Sequence, residues 1–309
     1  MNHDDQRLGD LLTAASALRE QTVCAVALIG VPQHIGVERN GGRAGAASAP
    51  QAIRNALFRM ATSAIIDVMQ DHRLVVIDMG DVDTVGKTLE QIHDVQCSLV
   101  HACMQSGMLT VVLGGGHDVA WPTVNALNTI GERYGVVNID AHADVRPLKD
   151  GGLAHSGSPF RQMLESPASK LDDGAFVEFG LQAHAVSASH LQYIADKGMH
   201  FMMLDDIRAQ GHGAWTSAHS IASKSDSLYV SLDMDAFASA YAPGVSAPSA
   251  DGFMPHEIAS CIRIAGADPS LKAFDVVEVN PEFDVDNRTS KLAASMIMHL
   301  LSGIAQRLR

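Results

Sequence analysis

The sequence predicts a single three-layer α/β/α domain, residues 1–309, built on a mainly parallel sheet of about eight strands. Three observations lead there. Short apolar, β-prone runs alternate with helical stretches of about 10–15 residues, the pattern of a parallel sheet covered on both faces. No linker, internal repeat or low-complexity tract divides the chain, although its length alone permits two domains. Hydrophobic residues make up 47% of it and mean hydropathy is +0.07, which suits a folded, soluble protein.

In chain order, residues 5–20 have the spacing of an amphipathic helix, and CAVALIGV (24–31) is the first strand. Residues 32–50 form a Gly-rich loop, long for a compact domain and therefore expected to serve function. Helical spacing over 52–60 follows a start signal at Ser48 and Pro50. RLVVIDMGDV is the second strand and residues 86–106 a long helix. LTVVL is the third strand, leaving through GGGHD into the helix WPTVNALNTIGERY. YGVVNI is the fourth. AFVEFGLQ (175–182) and MHFMMLDDI (199–207) are the fifth and sixth, with a helix over 187–198 between them. SLYVSL is the seventh strand, LKAFDVVEVNPEFD contains the eighth, and residues 290–308 form the last helix.

Several functions are disfavoured. A formal charge of −13 and the lack of a Lys/Arg cluster argue against a nucleic-acid surface. No apolar stretch approaches the roughly 18 residues needed to span a bilayer, so no membrane role is expected. The opening MNHDDQRLGD lacks the basic start and apolar core of a signal peptide. Cys24, Cys97, Cys103 and Cys261 are scattered and read as reduced thiols of a cytoplasmic protein. GGGHD lacks the spacing of a dinucleotide fingerprint, and no P-loop occurs.

Three strand exits carry chemistry instead. His117 follows the third strand, Asp140, His142 and Asp144 the fourth, and Asp233 and Asp235 the seventh. In an open α/β sheet that carboxyl edge is where ligands bind. Alternation in extended chain lets Asp140, His142 and Asp144 face one way, as it does Asp233 and Asp235. Four buried carboxylates would repel one another unless divalent cations lay between them. Carboxylate-rich ligation without thiolate favours Mn2+ over Zn2+. Two such ions would lower the pKa of a water enough for hydrolysis near neutral pH.

GGGHD, NIDAHAD, SLDMD and the late EVNP resemble the ureohydrolase superfamily of arginases, agmatinases and formimidoylglutamases, over essentially the whole chain. The resemblance implies an arginase-like fold and two Mn2+ per chain. His117, Asp140, Asp144 and Asp233 would hold one ion. Asp140, His142, Asp233 and Asp235 would hold the other, with Asp140 and Asp233 bridging. It further implies that Glu278 receives the amidine or guanidine group of the substrate. Asp118 is expected to orient His117. The superfamily's trimers and hexamers make a homo-oligomer the expectation.

Substrate tails differ within the superfamily, and opposite tails need opposite pocket charges. Arg39, Arg43, Arg146 and Arg161 all lie in loops near the carboxyl edge, and Arg146 is best placed, two residues after Asp144. Arginine's planar fork suits carboxylates. ERNGGRAGA (38–46), HSGSPFRQ (155–162) and YAPGVSAPS (241–249) are similar to the formimidoylglutamase branch. When Gly157-Ser158-Pro159 is matched to arginase and agmatinase, Ser156 falls where they have a histidine thought to shuttle protons. His155 would face away. Either His155 swings in, or, as the resemblance to formimidoylglutamases implies, the reaction proceeds without that histidine.

The expected activity is hydrolysis of a small anionic amidine, N-formimino-L-glutamate, to L-glutamate and formamide, as in histidine degradation. Glu278 would hold the amidinium and Asp140 or Asp144 would carry a proton to the leaving amine. Arg146, with Arg43 or Arg161, would clamp carboxylates beside Ser156. The alternatives are a guanidino-acid hydrolase, agmatinase or arginase releasing urea, and a catalytically inactive metal-binding scaffold. A deacetylase on a related fold is more remote, since it would want a single zinc.

Overall fold

All eight expected strands form: β1 (Cys24–Gly30), β2 (Leu74–Asp81), β3 (Leu109–Leu113), β4 (Tyr134–Ile139), β5 (Leu171–Leu181), β6 (His200–Met203), β7 (Ser227–Asp233) and β8 (Leu271–Val277). The structure, a computed structural model, describes residues 6–14, 16 and 22–309. The strands join one sheet in the order β2-β1-β3-β8-β7-β4-β5-β6, and every pairing is parallel. The sheet is therefore wholly, not mainly, parallel.

Helices cover both faces. They are α1 (Ile35–Arg39), α2 (Ala49–Leu57), α3 (Ile66–Gln70), α4 (Leu89–Gln105), α5 (Ala120–Ile130), α6 (Pro159–Glu165), α7 (Ala188–Asp196), α8 (Leu204–Gln210), α9 (His212–Ala222), α10 (Pro255–Ala267) and α11 (Arg288–Leu308). β1 explains the layering. Val26 and Leu28 join the core packed against α2, α9, α10 and α11, while Ala25, Ala27 and Ile29 join the core packed against α4, α5, α6 and α7. Alternate side chains feed opposite layers, so a strand between two helical layers must be apolar throughout. β1, β3, β4 and β7 are buried along their entire length.

Some expectations change. MHFMMLDDI is strand only to Met203, because Leu204 opens α8, whose first turn carries Asp205 and Asp206. The spacing also left α3, α6, α9 and α10 unread, and α1 lies within the stretch expected as a loop over 32–50. Of the helix expected over 5–20, Leu8–Leu11 is a single 3-10 turn and residues 12–14 are not helical. Positions 5, 15 and 17–20 lie outside the described residues. The four cysteines are free, three buried and Cys97 half-buried. No helix among the described residues is long and apolar enough to cross a membrane.

Candidate metal centre

The middle of the sheet, β3-β8-β7-β4, brings four strand exits side by side. His117 opens a 3-10 turn after β3, and Glu278 follows β8 directly. Asp233 ends β7 with Asp235 in the turn beyond, and Asp140, His142 and Asp144 follow β4. All seven side chains thus meet at one point of the carboxyl edge. The backbone crowds to allow it: a Cβ on Gly115 would overlap the carbonyl oxygen of Gln33. Asp144 and Glu278 sit at φ 43° and 62°. Left-handed backbone costs a non-glycine residue about 1–3 kcal/mol and persists where the side chain is needed in one direction.

His117 Nδ1 lies 3.2 Å from Asp140 Oδ2, 3.0 Å from Asp144 Oδ2 and 3.1 Å from Asp233 Oδ2. His142 Nδ1 lies 3.1 Å from Asp235 Oδ2 and 3.6 Å from Asp140 Oδ1. Two sets of potential ligands result, His117 with Asp140, Asp144 and Asp233, and His142 with Asp140 and Asp235. Asp140 belongs to both. Asp233 groups with the first alone; its other oxygen accepts the Asp235 amide at 2.8 Å. Within 140–144 the side chains therefore divide, Asp140 and Asp144 toward His117 and His142 toward Asp235.

A chain of hydrogen bonds fixes the His117 tautomer. Tyr229 Oη donates to Asp275, and Ser231 Oγ donates to the other Asp275 oxygen at 2.6 Å. With its proton spent, Ser231 Oγ accepts from His117 Nε2 at 2.9 Å. The proton therefore belongs on Nε2 and the lone pair of Nδ1 points into the three carboxylates, where it has no hydrogen-bond partner. A buried lone pair facing three acids is stable only around a cation. Donors about 2.1 Å from a small octahedral cation lie about 3 Å apart, the spacing seen. The donor set fits a divalent metal. Ser231→Ala should lower metal affinity about 10–100-fold, read by manganese titration in a calorimeter. Unchanged affinity would mean that packing alone aims the ring.

The electrostatics agree. Burial disfavours charge on His117, yet the carboxylates of Asp140, Asp144 and Asp233 outweigh it and raise its pKa. Asp235, then burial acting in opposition, sets the environment of His142, and the net effect is upward. Burial and the neighbouring acids Asp235 and Asp140 raise Asp233, and burial pushes Asp235 up to about 6 despite His142. The unloaded cluster thus retains protons that a metal would displace. Burial likewise pushes Glu278 up to about 8, although its Oε1 accepts the His117 amide at 2.9 Å.

Residues 24–303 match the model of the Arginase family. The chain belongs to the arginase family. It is 34% identical over 297 residues to formimidoylglutamase from Aromatoleum aromaticum, covering 91% of this chain and 84% of that protein. Over 284 residues it is 34% identical to formimidoylglutamase from Rhodococcus jostii, covering 90% and 85%. Its fold superposes on the crystal structure of Trypanosoma cruzi formiminoglutamase with Mn2+ at a TM-score of 0.88 and 34% identity, covering 98% of this chain and 100% of that one.

In this arginase-family chain the cluster floors a cavity of about 270 Å³, walled by Asn40, Arg43, Arg146, Ser156, Ser246 and Glu278 among others. Ser156 faces in and His155 away, as alternation requires. The His155 ring is held by the Pro147 carbonyl and the Gly157 amide. Arg146 donates to Asn40 Oδ1 at 3.3 Å, and Asn40 Nδ2 donates to Ser156 Oγ at 3.2 Å. Arg43 lines the cavity, but its Nε donates to the Ser246 carbonyl at 3.0 Å and its guanidinium lies 4.0 Å over the Phe283 ring.

Two arginines are spent elsewhere. Arg161 pairs with Glu165 at 2.6 Å and stacks 3.8 Å over Tyr193; it is not among the cavity walls. Arg39 binds Glu90 and the Ala154 carbonyl. Asp118 departs from expectation too. It accepts from Gln33 and His93, each at 2.8 Å, and ties three segments together, leaving the aiming of His117 to Ser231. Ser231, Asp275 and Tyr229 escaped the sequence reading. Their one visible signal was a polar side chain inside an otherwise apolar strand.

Proposed function

We propose that this chain hydrolyses N-formimino-L-glutamate to L-glutamate and formamide, with two Mn2+ per chain, and that residues 1–309 act as one metallohydrolase unit. The observation that carries this reading is a cavity holding two ligand sets, a strained glutamate and unneutralised guanidinium groups together. Formimidoylglutamase relatives at 34% identity support the same substrate. The four free thiols fit a reducing, cytoplasmic compartment.

Bound manganese supplies Lewis acidity and brings the pKa of a water into the neutral range. The chain's own groups do the rest. Glu278, fixed by its backbone and by the His117 amide, accepts from the amidinium nitrogens and sets the formimino carbon over the cluster. Arg146, with Arg43 behind it, holds carboxylate, and the buried floor keeps bulk water out. Water oxygen adds to the formimino carbon and gives up a proton to Asp140 or Asp144, the bond from that carbon to the glutamate nitrogen breaks, and that carboxylate passes the proton to the departing nitrogen. Formamide and glutamate leave.

Product release by the manganese-loaded protein tests the proposal, with arginine, agmatine and 4-guanidinobutyrate run beside N-formimino-L-glutamate. Formamide and glutamate from the last alone are expected. Urea from a guanidino compound would reassign the substrate, and no product from any of them at full metal occupancy would leave a scaffold. Arg146→Ala should raise KM about 10–100-fold with manganese content intact. Loss of metal instead would make that arginine structural.

Metal binding should also depend on pH with a definite sign. Asp235 binds its proton below about 6, and that proton must leave before the carboxylate can ligate a cation. The rise in Tm on adding manganese should therefore be larger at about pH 8 than at about pH 5, and fall as pH drops through 6. An equal rise at both would remove proton competition from the account.

A further inference from the structure

Arg146 is a wall between two spaces. Inside it lies the 270 Å³ cavity over the metal ligands; outside it lies a more open cleft of about 650 Å³ lined by Arg146, Lys149, Asp150, His155, Ser187 and His190. We propose that this outer cleft is a second anion subsite, built to take the side-chain carboxylate of a dicarboxylate substrate while Arg146 holds the carboxylate nearer the scissile nitrogen. The inference rests on the reaction proposed above and goes further, because it explains how two carboxylates are told from one.

The cleft carries unspent positive charge. Lys149 makes no ion pair among the described residues, and its backbone is fixed by the Lys149–Leu153 bridge at 3.0 Å. Arg146 spends a single N–H, on Asn40, and its backbone amide is tied to Gly157 at 2.8 Å. The loop carrying both cations is therefore pinned and the two side chains are free to bind. Opposite them, the His190 ring has no hydrogen-bond partner among the described residues. Burial and then Arg146 lower its pKa, so at neutral pH it offers an N–H without charge. The lining acid, Asp150, offsets one of the two cations and leaves a net positive cleft. His155 is a wall only, since both its ring nitrogens are taken.

Arg146 lines both spaces, so an amidine seated on Glu278 would have its first carboxylate at Arg146 and its second, two methylenes further on, with Lys149 and His190 in the outer cleft. A guanidino monocarboxylate would reach Arg146 and leave the outer cations unsatisfied. A distal amine, as on agmatine, would be repelled from the outer cleft.

Calorimetric binding of the product L-glutamate and of L-2-aminobutyrate, which lacks the second carboxylate, to the manganese-loaded protein tests this without turnover. The wild type should bind L-glutamate about 10–100-fold more tightly than L-2-aminobutyrate. Lys149→Ala with His190→Ala should bring that ratio close to unity, and Lys149→Glu should invert it, with manganese content and Tm as controls. A wild-type ratio near unity, or one that survives the double substitution, overturns the subsite. Because binding and catalysis are read separately, formamide release with an unchanged ratio defeats the cleft alone. A ratio abolished by the substitutions in a protein that releases no formamide defeats the proposed reaction and keeps the cleft.

Discussion

Asp140→Ala is expected to abolish manganese binding at both positions and to lower kcat/KM by at least about a thousand-fold. Asp140 is the one residue shared by the two ligand sets. One of its oxygens lies 3.2 Å from His117 Nδ1, and the other lies 3.6 Å from His142 Nδ1 while accepting the His142 amide at 2.7 Å. Removing it leaves two incomplete half-sites, each facing imidazole with fewer acids to offset a cation. Burial opposes its charge, but His117 and His142 outweigh that and hold its pKa below the usual carboxylate range, so it is an anion ready to bridge. Metal analysis after dialysis reads the first effect and steady-state kinetics the second, while thermal unfolding gives an independent reading of metal loss. A ligand at a hundred times its Kd contributes about 2.7 kcal/mol to stability, so manganese should raise Tm in the wild type and leave it unmoved in the variant. Retention of one ion of the two would reject Asp140 as the bridge.

Glu278→Gln should lower kcat/KM about 10²–10³-fold while metal content stays at the wild-type level. Glutamine keeps the oxygen that accepts the His117 amide, so the loop after β3 should hold its shape. What disappears is the negative charge that an amidinium would meet in a buried setting, where such a pairing is strong. Burial pushes Glu278 up to about 8, so the unliganded group resists ionising and a cationic substrate would complete it. Failure to lower activity would mean the substrate turns its amidine elsewhere. Loss of metal would mean that Glu278 serves the cluster rather than the substrate.

The metal centre was legible because its residues follow apolar strand runs in which few other roles exist for so many acids. The paired motifs at 140–144 and 233–235 could be read without knowing which strands are neighbours. What could not be read is whatever depends on neighbours. Ser231 meets Asp275 because β7 and β8 pair in that register, yet 44 positions separate them in the chain. Asp118 sits beside His117 in sequence but points to Gln33 and His93, since adjacent residues in a turn diverge. The arginines teach the same lesson. Arg43 and Arg146 line the cavity, whereas Arg161 lies on α6 and finds Glu165 one turn along. Charge in a loop is visible in sequence; its direction is set by the partner it finds. The left-handed backbone at Asp144 and Glu278 was equally hidden, because neither residue type announces it.

The place of β8 has a consequence for how the molecule comes into being. It is the last strand to be synthesised, yet it lies between β3 and β7. Until it emerges, the growing polypeptide can offer only two half-sheets, β2-β1-β3 and β7-β4-β5-β6, each with a raw inner edge. His117 belongs to one half and the five remaining ligands to the other. No nascent fragment ending before Leu271 can therefore assemble both ion positions, however long it waits on the ribosome. Full manganese loading becomes a record of completed synthesis, and a prematurely terminated polypeptide would reveal itself by two sticky edges and an inability to take up both ions.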